Sequence, residues 1–157
     1  MKLKPNYLVI PLLALTVAWL GSIFTSIGIE SGWYNAISRP AWTPDGFVIG
    51  TVWTIIFILA TISALIVWNK FKRDQQFNYI IVLFLINGFL NFSWSFLFFT
   101  AHLIGTAVIW AGLIALSVLI LMILIWPKSK LASLLLAPYL VWVIFAAYLT
   151  RVIWKLN

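Results

Sequence analysis

Thirteen charged residues in a chain of 157, gathered so that long uncharged runs separate them, constrain this protein more than any other feature. The runs cover 5–29, 46–69, 75–127 and 131–150 and are 25, 24, 53 and 20 residues long. An α-helix rises about 1.5 Å per residue, so about 20 apolar residues cross the roughly 30 Å hydrocarbon core of a bilayer. The 53-residue run is too long for one crossing and fits two, which makes five spans in all. A hydrophobic fraction of 64% and a mean hydropathy of +1.11 suit lipid rather than water. The expected fold class is all-α integral membrane, a single domain over 1–157 built as a five-transmembrane-helix bundle, with the lipid bilayer as its first partner.

The same composition removes whole classes of chemistry. There is no cysteine, so disulfides, thiolate metal sites, iron–sulfur clusters and cysteine nucleophiles are excluded. One histidine, His102, and three carboxylates, Glu30, Asp45 and Asp74, leave little for a metal cluster or for paired acid/base catalysis. No metal site and no obligatory cofactor are expected. The net charge of +7 does not point to nucleic acid, because the basic residues sit at span ends rather than on one soluble face. The basic start followed by an apolar run looks like a signal peptide, but the run passes twenty residues without a small-x-small cleavage site and reads as a retained span.

The spans are placed at 7–27, 44–69, 76–99, 103–126 and 131–154. Thr43 is the expected N-cap of the second, with Pro44 at the first helical position and Asp45 at the positive end of the helix dipole. In the fifth, Pro138 lacks the N–H that would bond the Leu134 carbonyl, which predicts a kink. Five spans put the N-terminus, the second loop and the fourth loop on one side with seven basic residues, against Arg39, Arg151 and Lys155 on the other. The positive-inside rule makes this a multi-pass cell-membrane protein with the N-terminus cytoplasmic and the first loop and C-terminus outside.

Three connections are short, and the first, 28–43, is long. It holds Trp33, Tyr34 and Trp42, which suits a structured lid better than a disordered linker. Ten tryptophans are too many to assign without argument; Trp19, Trp68, Trp110, Trp126 and Trp154 fit an interfacial belt or packing. Other aromatics fall on helical stripes: Trp53 and Phe57 on span two; Asn87, Asn91, Trp94 and Phe98 on span three; Pro138, Trp142, Phe145, Ala146 and Leu149 on span five. Amides in a membrane helix point inward. A polar and aromatic interior under an aromatic lid describes a pocket for a large, flat, mostly apolar ligand; the competing reading is that the amides and Ser93 and Ser95 simply bond helix to helix. Ala14, Ala18, Gly21, Thr25 and Gly28 form a small-residue stripe on span one, open to intramolecular packing or a dimer face. His102 is either a porphyrin-iron ligand or, more commonly for such a turn residue, a cap. Arg39, Arg151 and Lys155 either meet ligand carboxylates or snorkel to the interface.

Trp33-Tyr34, Arg39-Pro40-Ala41-Trp42-Thr43-Pro44, Trp53, the run Leu90-Asn91-Phe92-Ser93-Trp94-Ser95 with Phe98-Phe99 and His102, then Ala137-Pro138-Tyr139 and Trp142 occur in that order along almost the whole chain. This series resembles the TspO/translocator protein family, the tryptophan-rich sensory proteins also called peripheral-type benzodiazepine receptors. The resemblance implies a five-helix bundle, commonly a homodimer, whose first loop closes a cavity for porphyrins such as protoporphyrin IX and haem and for small apolar drug-like ligands of the benzodiazepine and isoquinoline type. It implies tetrapyrrole binding, with sensing or light-dependent oxidative degradation of the porphyrin as the activity, and porphyrin or amphiphile transport as the alternative. By the same resemblance Trp53 and Trp142 carry the photochemical role, and Tyr34, Trp33, Arg39, Phe57, Asn91, Phe92, Trp94 and Ala146 join them in binding the ligand. Whether this makes the chain an enzyme is left open, since no conventional catalytic constellation is present. Against an energised pump, there is no phosphate-binding glycine motif and no carboxylate inside any uncharged run. Two departures stand out: Asp45 replaces a second proline, and Arg151 occupies the tyrosine position of the animal cholesterol motif, so sterol binding does not carry over.

Overall fold

The computed structural model describes residues 4–157; Met1, Leu3 and the Lys2 counted in the charge asymmetry lie outside the described residues. The elements are α1 (Asn6–Glu30), α2 (Trp33–Ala36), α3 (Gly46–Lys70), α4 (Gln75–Ser95) running into one π-helical turn (Phe96–Thr100), α5 (Ile104–Ile125), α6 (Lys130–Leu134) and α7 (Ala137–Leu156). Five helical segments are long and apolar enough to cross a membrane: α1, α3, α4 with its π turn, α5, and α6 with α7. Among the described residues the fold is all-helical. α1 packs on α3 and α4, α4 on α5, α5 on α7, and α3 on both α6 and α7, so the spans close into a ring.

The outward faces are apolar. Leu8, Leu15, Trp19, Ile109, Ile123 and Val141 all stand exposed, as lipid-facing side chains do. The best-packed part of the ring lies between α3, α4, α5 and α7, where Ile56, Val67, Ile80, Val118, Leu121, Ile125 and Leu136 are buried. α1 is different, with Asn6 and Gly28 its only buried residues. A Cβ on Gly28 would lie 2.6 Å from the Phe99 backbone oxygen, so only glycine allows α1 to approach the π turn. The small-residue stripe read on the first span thus serves packing within the chain at this point.

Polar groups inside the ring are tied helix to helix. Ser117 Oγ donates to the Ile114 carbonyl and accepts from Asn87 Nδ2; Asn87 Oδ1 accepts from Tyr139 Oη, which in turn accepts from Asn91 Nδ2. This relay joins α5, α4 and α7. Ser63 Oγ donates to the Ala132 carbonyl and Ser133 Oγ to that of Met122, fixing α6 against α3 and α5.

Two expectations about helix boundaries are corrected. The N-cap of α3 is Asp45, whose Oδ1 accepts from the Val48 N–H at 2.9 Å, and not Thr43, whose hydroxyl donates to the Pro40 carbonyl. Asp is the stronger cap, and Pro44 lies outside the helix instead of opening it. The kink expected at Pro138 is a full break: α6 stops at Leu134, the Leu136 N–H closes a tight turn onto Ser133, and Pro138 lies in the first turn of α7, where a missing N–H costs nothing. At the opposite membrane face Asp74 caps α4 through the Phe77 N–H and pairs with Lys128 at 3.0 Å. The Phe77 N–H and then Lys128 hold this carboxyl below its usual range. The link between second and fourth loops is therefore fully present above the ordinary carboxylate value of about 4 and lost as pH falls through the depressed one.

Replacing Asn87 with Leu strips Tyr139 of its acceptor and Ser117 of its donor. It should lower stability by about 1–2 kcal/mol, read as a drop in the detergent-solubilised melting temperature. Gly28→Ala should also cost about 1–3 kcal/mol because the new methyl meets backbone. Gly21→Ala, where the nearest neighbour is Ser95 Oγ at 3.4 Å, should stay within about 0.5 kcal/mol of the native protein.

Candidate functional site

Inside the ring, between the poorly buried α1 and the packed wall of α4, α5 and α7, lies a cavity of about 800 Å³. That is within the ~300–1,000 Å³ typical of small-molecule sites. Its floor and walls are aromatic. Trp53 on α3 meets Tyr139 edge-on at 5.9 Å between centroids and Phe57 at 5.8 Å. On α7, Trp142 lies 5.2 Å from Phe145, with Ala146 and Leu149 continuing the same face. On α4, Trp94 stacks on Phe98 at 5.1 Å and 10°, and its Nε1 donates to the Ala107 carbonyl, which fixes the ring. Asn91, held from below by the Tyr139 hydroxyl, reaches the cavity at the end of the polar relay.

The first loop closes one end. Gly32, in the left-handed region at φ 78, turns the chain out of α1 and into α2. Tyr34 then packs at 5.3 Å on Phe99 and 6.3 Å on Phe98, and the Arg39 guanidinium lies 4.3 Å over the Tyr34 ring. Three attachments hold the loop down. Trp33 stacks on His102 at 4.1 Å. Trp42 stacks on Tyr148 at 5.8 Å and packs against Phe145. The Asn157 side chain accepts from the Ser38 N–H and donates to the Ser38 carbonyl.

Of the residues expected at the site, Tyr34, Arg39, Trp53, Phe57, Asn91, Trp94, Trp142 and Ala146 line this cavity. Trp33 does not: it lies behind Tyr34, clamped between His102 and the edge of Phe98, where it anchors the lid. Phe92 does not either; its ring packs edge-on against Phe89, whose side is exposed. One helical residue separates Phe92 from Asn91, and that rotation of about 100° takes it out of the cavity wall. His102 is used for stacking on Trp33, at φ 57 in the turn that follows the π-helical segment. Ser93 accepts from Trp110 Nε1, a bond between α4 and α5.

Several wall residues were not anticipated. Ala14, Ala18, Gly21 and Thr25, read as a packing stripe, also form the α1 side of the cavity. The Ser38–Asn157 clasp joins residues 119 apart in the chain, with no local spacing to signal it. The most telling atom is Trp142 Nε1, a buried N–H without a hydrogen-bond partner. The arrangement therefore offers a flat aromatic slot with a cation at its rim, and this suits a planar, mostly apolar molecule with an anionic or acceptor group at its edge.

The sequence comparisons agree with this geometry. The tryptophan-rich protein TspO of Chlorobaculum tepidum is 36% identical over 151 residues, covering 92% of this chain and 91% of that protein. The protein of the same name from Archaeoglobus fulgidus is 36% identical over 149 residues, covering 93% of each. Human translocator protein is 28% identical over 155 residues, with 94% and 90% covered. The profile of the TspO/MBR family matches residues 9–155. With its five spans, aromatic lid and ligand-sized cavity, the chain belongs to the TspO/MBR family, a multi-pass membrane protein of the ligand-binding or sensing kind.

Proposed function

We propose that this protein binds tetrapyrroles, protoporphyrin IX foremost and haem as a relative of it, in the cavity beneath the first loop, and that it senses them or promotes their light-dependent oxidative breakdown. The observation that carries the reading is the cavity itself, walled by Trp53, Trp94, Trp142, Phe57 and Tyr34. Stacking on aromatic faces favours planar rings, and Arg39 at the rim meets a carboxylate at the ring's edge. No resident cofactor is required, the porphyrin being the ligand. Benzodiazepine- and isoquinoline-type molecules share the flat, apolar shape and fit the same slot. In the cell membrane the crowded basic end faces the cytoplasm, the lid faces outward, and the functional unit is a homodimer.

A bound porphyrin supplies absorption of visible light and the capacity to generate reactive oxygen. The chain supplies the rest: Trp53 and Trp142 present oxidisable indoles at the wall, the lid excludes bulk water, and the apolar cavity holds the ring in place. No general base is needed, which is consistent with how few titratable groups the chain carries.

Protoporphyrin IX added in the dark should quench tryptophan emission with saturation at one ligand per chain. Illumination should then consume the bound porphyrin faster than free porphyrin. Trp53→Phe and Trp142→Phe should slow consumption at least fivefold while changing affinity less. Dark binding with wild-type photolysis rates in both variants would leave a binding and sensing role and remove the photochemical one.

A further inference from the structure

The cavity wall is closed on one side and open on the other. Toward α4, α5 and α7 the lining residues are buried or half-buried, as at Ala111, Ile114, Val143 and Ile153. Where α1 faces α3, residues that line the cavity are also strongly exposed. Leu15 is 64% and Ile58 55% accessible, and Ile62 is exposed as well. The cavity thus reaches side chains that also face outward, so along this line it runs out to the lipid-facing surface. On α3 the residues concerned fall at every fourth position, Gly46, Gly50, Thr54, Ile58 and Ile62, and so form one edge of a seam. Ser22 and Ser26 are exposed cavity residues on the α1 edge.

Toward the lid the seam is lined by its smallest residues. There its edges carry Gly46, Gly50 and Thr54 against Ser22 and Ser26, and a Cβ placed on either glycine meets nothing within 4 Å. Deeper in the membrane the edges carry Leu15, Ile58 and Ile62. Its threonines turn their hydroxyls inward, Thr54 to the Gly50 carbonyl, Thr25 to Gly21 and Thr61 to Phe57, which leaves methyl groups on the surface, while the small hydroxyls of Ser22 and Ser26 stand exposed on the α1 edge. The edges are otherwise apolar and carry no charge between Gly46 and Ile62 or between Leu15 and Ser26, so a mostly apolar solute passes between them without meeting an ionised group. The lid, in contrast, is held by the Ser38–Asn157 clasp and the two aromatic stacks.

We infer that ligand enters and leaves the cavity sideways, from the lid-side leaflet through the seam between α1 and α3, and not from water past the first loop. The inference rests on the tetrapyrrole reading of the cavity and adds its route and its source, a flat amphiphile already dissolved in lipid. Residues at the lid-side end of the seam, Gly50 above all, then set the rate of exchange.

The test uses the full chain in phosphatidylcholine vesicles, with protoporphyrin IX delivered from donor vesicles and tryptophan quenching followed in time. Gly50→Phe plugs the seam, Gly50→Val narrows it, and Gly112→Phe puts the same ring at another open position, on α5 and away from the cavity. Because the chain has no cysteine, Ser38→Cys with Asn157→Cys, joined by a short bifunctional thiol reagent, locks the lid. The expected result is association and dissociation both slowed at least tenfold in Gly50→Phe and by less in Gly50→Val, with Gly112→Phe and the locked lid within twofold of native. Exchange blocked by the locked lid, or Gly50 variants indistinguishable from Gly112→Phe, would overturn the lateral route while leaving the tetrapyrrole site intact. No quenching of the native protein would overturn both.

Discussion

In hydrocarbon a polar side chain has only other protein groups to bond, and this fold rests on one chain of such bonds. The Ile114 carbonyl can only accept, so Ser117 must donate to it and accept from Asn87; Asn87 must then accept from Tyr139, and Tyr139 from Asn91. Direction is fixed at every step. The relay locks α4, α5 and α7 into a rigid wall, brings Asn91 to the cavity and holds the buried Tyr139 ring behind it. Trp53 packs on that ring, so the aromatic floor is oriented by a polar network beneath it. Such networks in membranes are individually modest, averaging about 0.6 kcal/mol per bond, but a fully satisfied one specifies a single arrangement.

The second consequence is asymmetry. While α4, α5 and α7 are held together by this relay and by the Val118–Ile125 core, α1 packs on α3, α4 and the π turn with few of its own side chains buried, through contacts such as Gly28 against Phe99 and Phe24 against Phe96. The small residues that α1 turns toward this wall, Ala14, Ala18 and Gly21, leave room beside it, and that room is the cavity. The first loop completes it by clasping α7 at Asn157 and Tyr148, so the lid is anchored to the relay side of the molecule rather than to the α1–α3 edge. Stability and access are thus assigned to different helices.

Much of this was legible in the chain itself. Charge spacing alone yields five spans, since no soluble alternative tolerates such runs, and the 3.6-residue stripes on spans two, three and five point Trp53, Asn91, Trp94 and Trp142 inward. What spacing could not resolve was rotation and tertiary contact. Phe92 is one residue from Asn91 and faces elsewhere; Trp33 supports the lid without touching the cavity. The break before Ala137 replaces a simple kink because Leu136 finds a tight-turn partner in Ser133. The π turn at Phe96–Thr100, which sets up the His102 reversal, has no pattern in sequence to announce it. Span one illustrates the general difficulty, since small residues at helical spacing serve a close helix contact at Gly28 and a cavity wall at Ala18 and Thr25.

The central claim is that the unpaired indole of Trp142 and its neighbour Trp53 enclose a planar guest. Nitrogen-15 spectra of the indole N–H groups, recorded in micelles with and without protoporphyrin IX in the dark, test it most directly. The account predicts large shifts for Trp142 and Trp53, while Trp110, bonded to Ser93, and Trp126 at the far end of α5 hold their positions. Unchanged Trp142 and Trp53 signals, with shifts confined to Trp19, Trp126 or Trp154 on the outer surface, would contradict it.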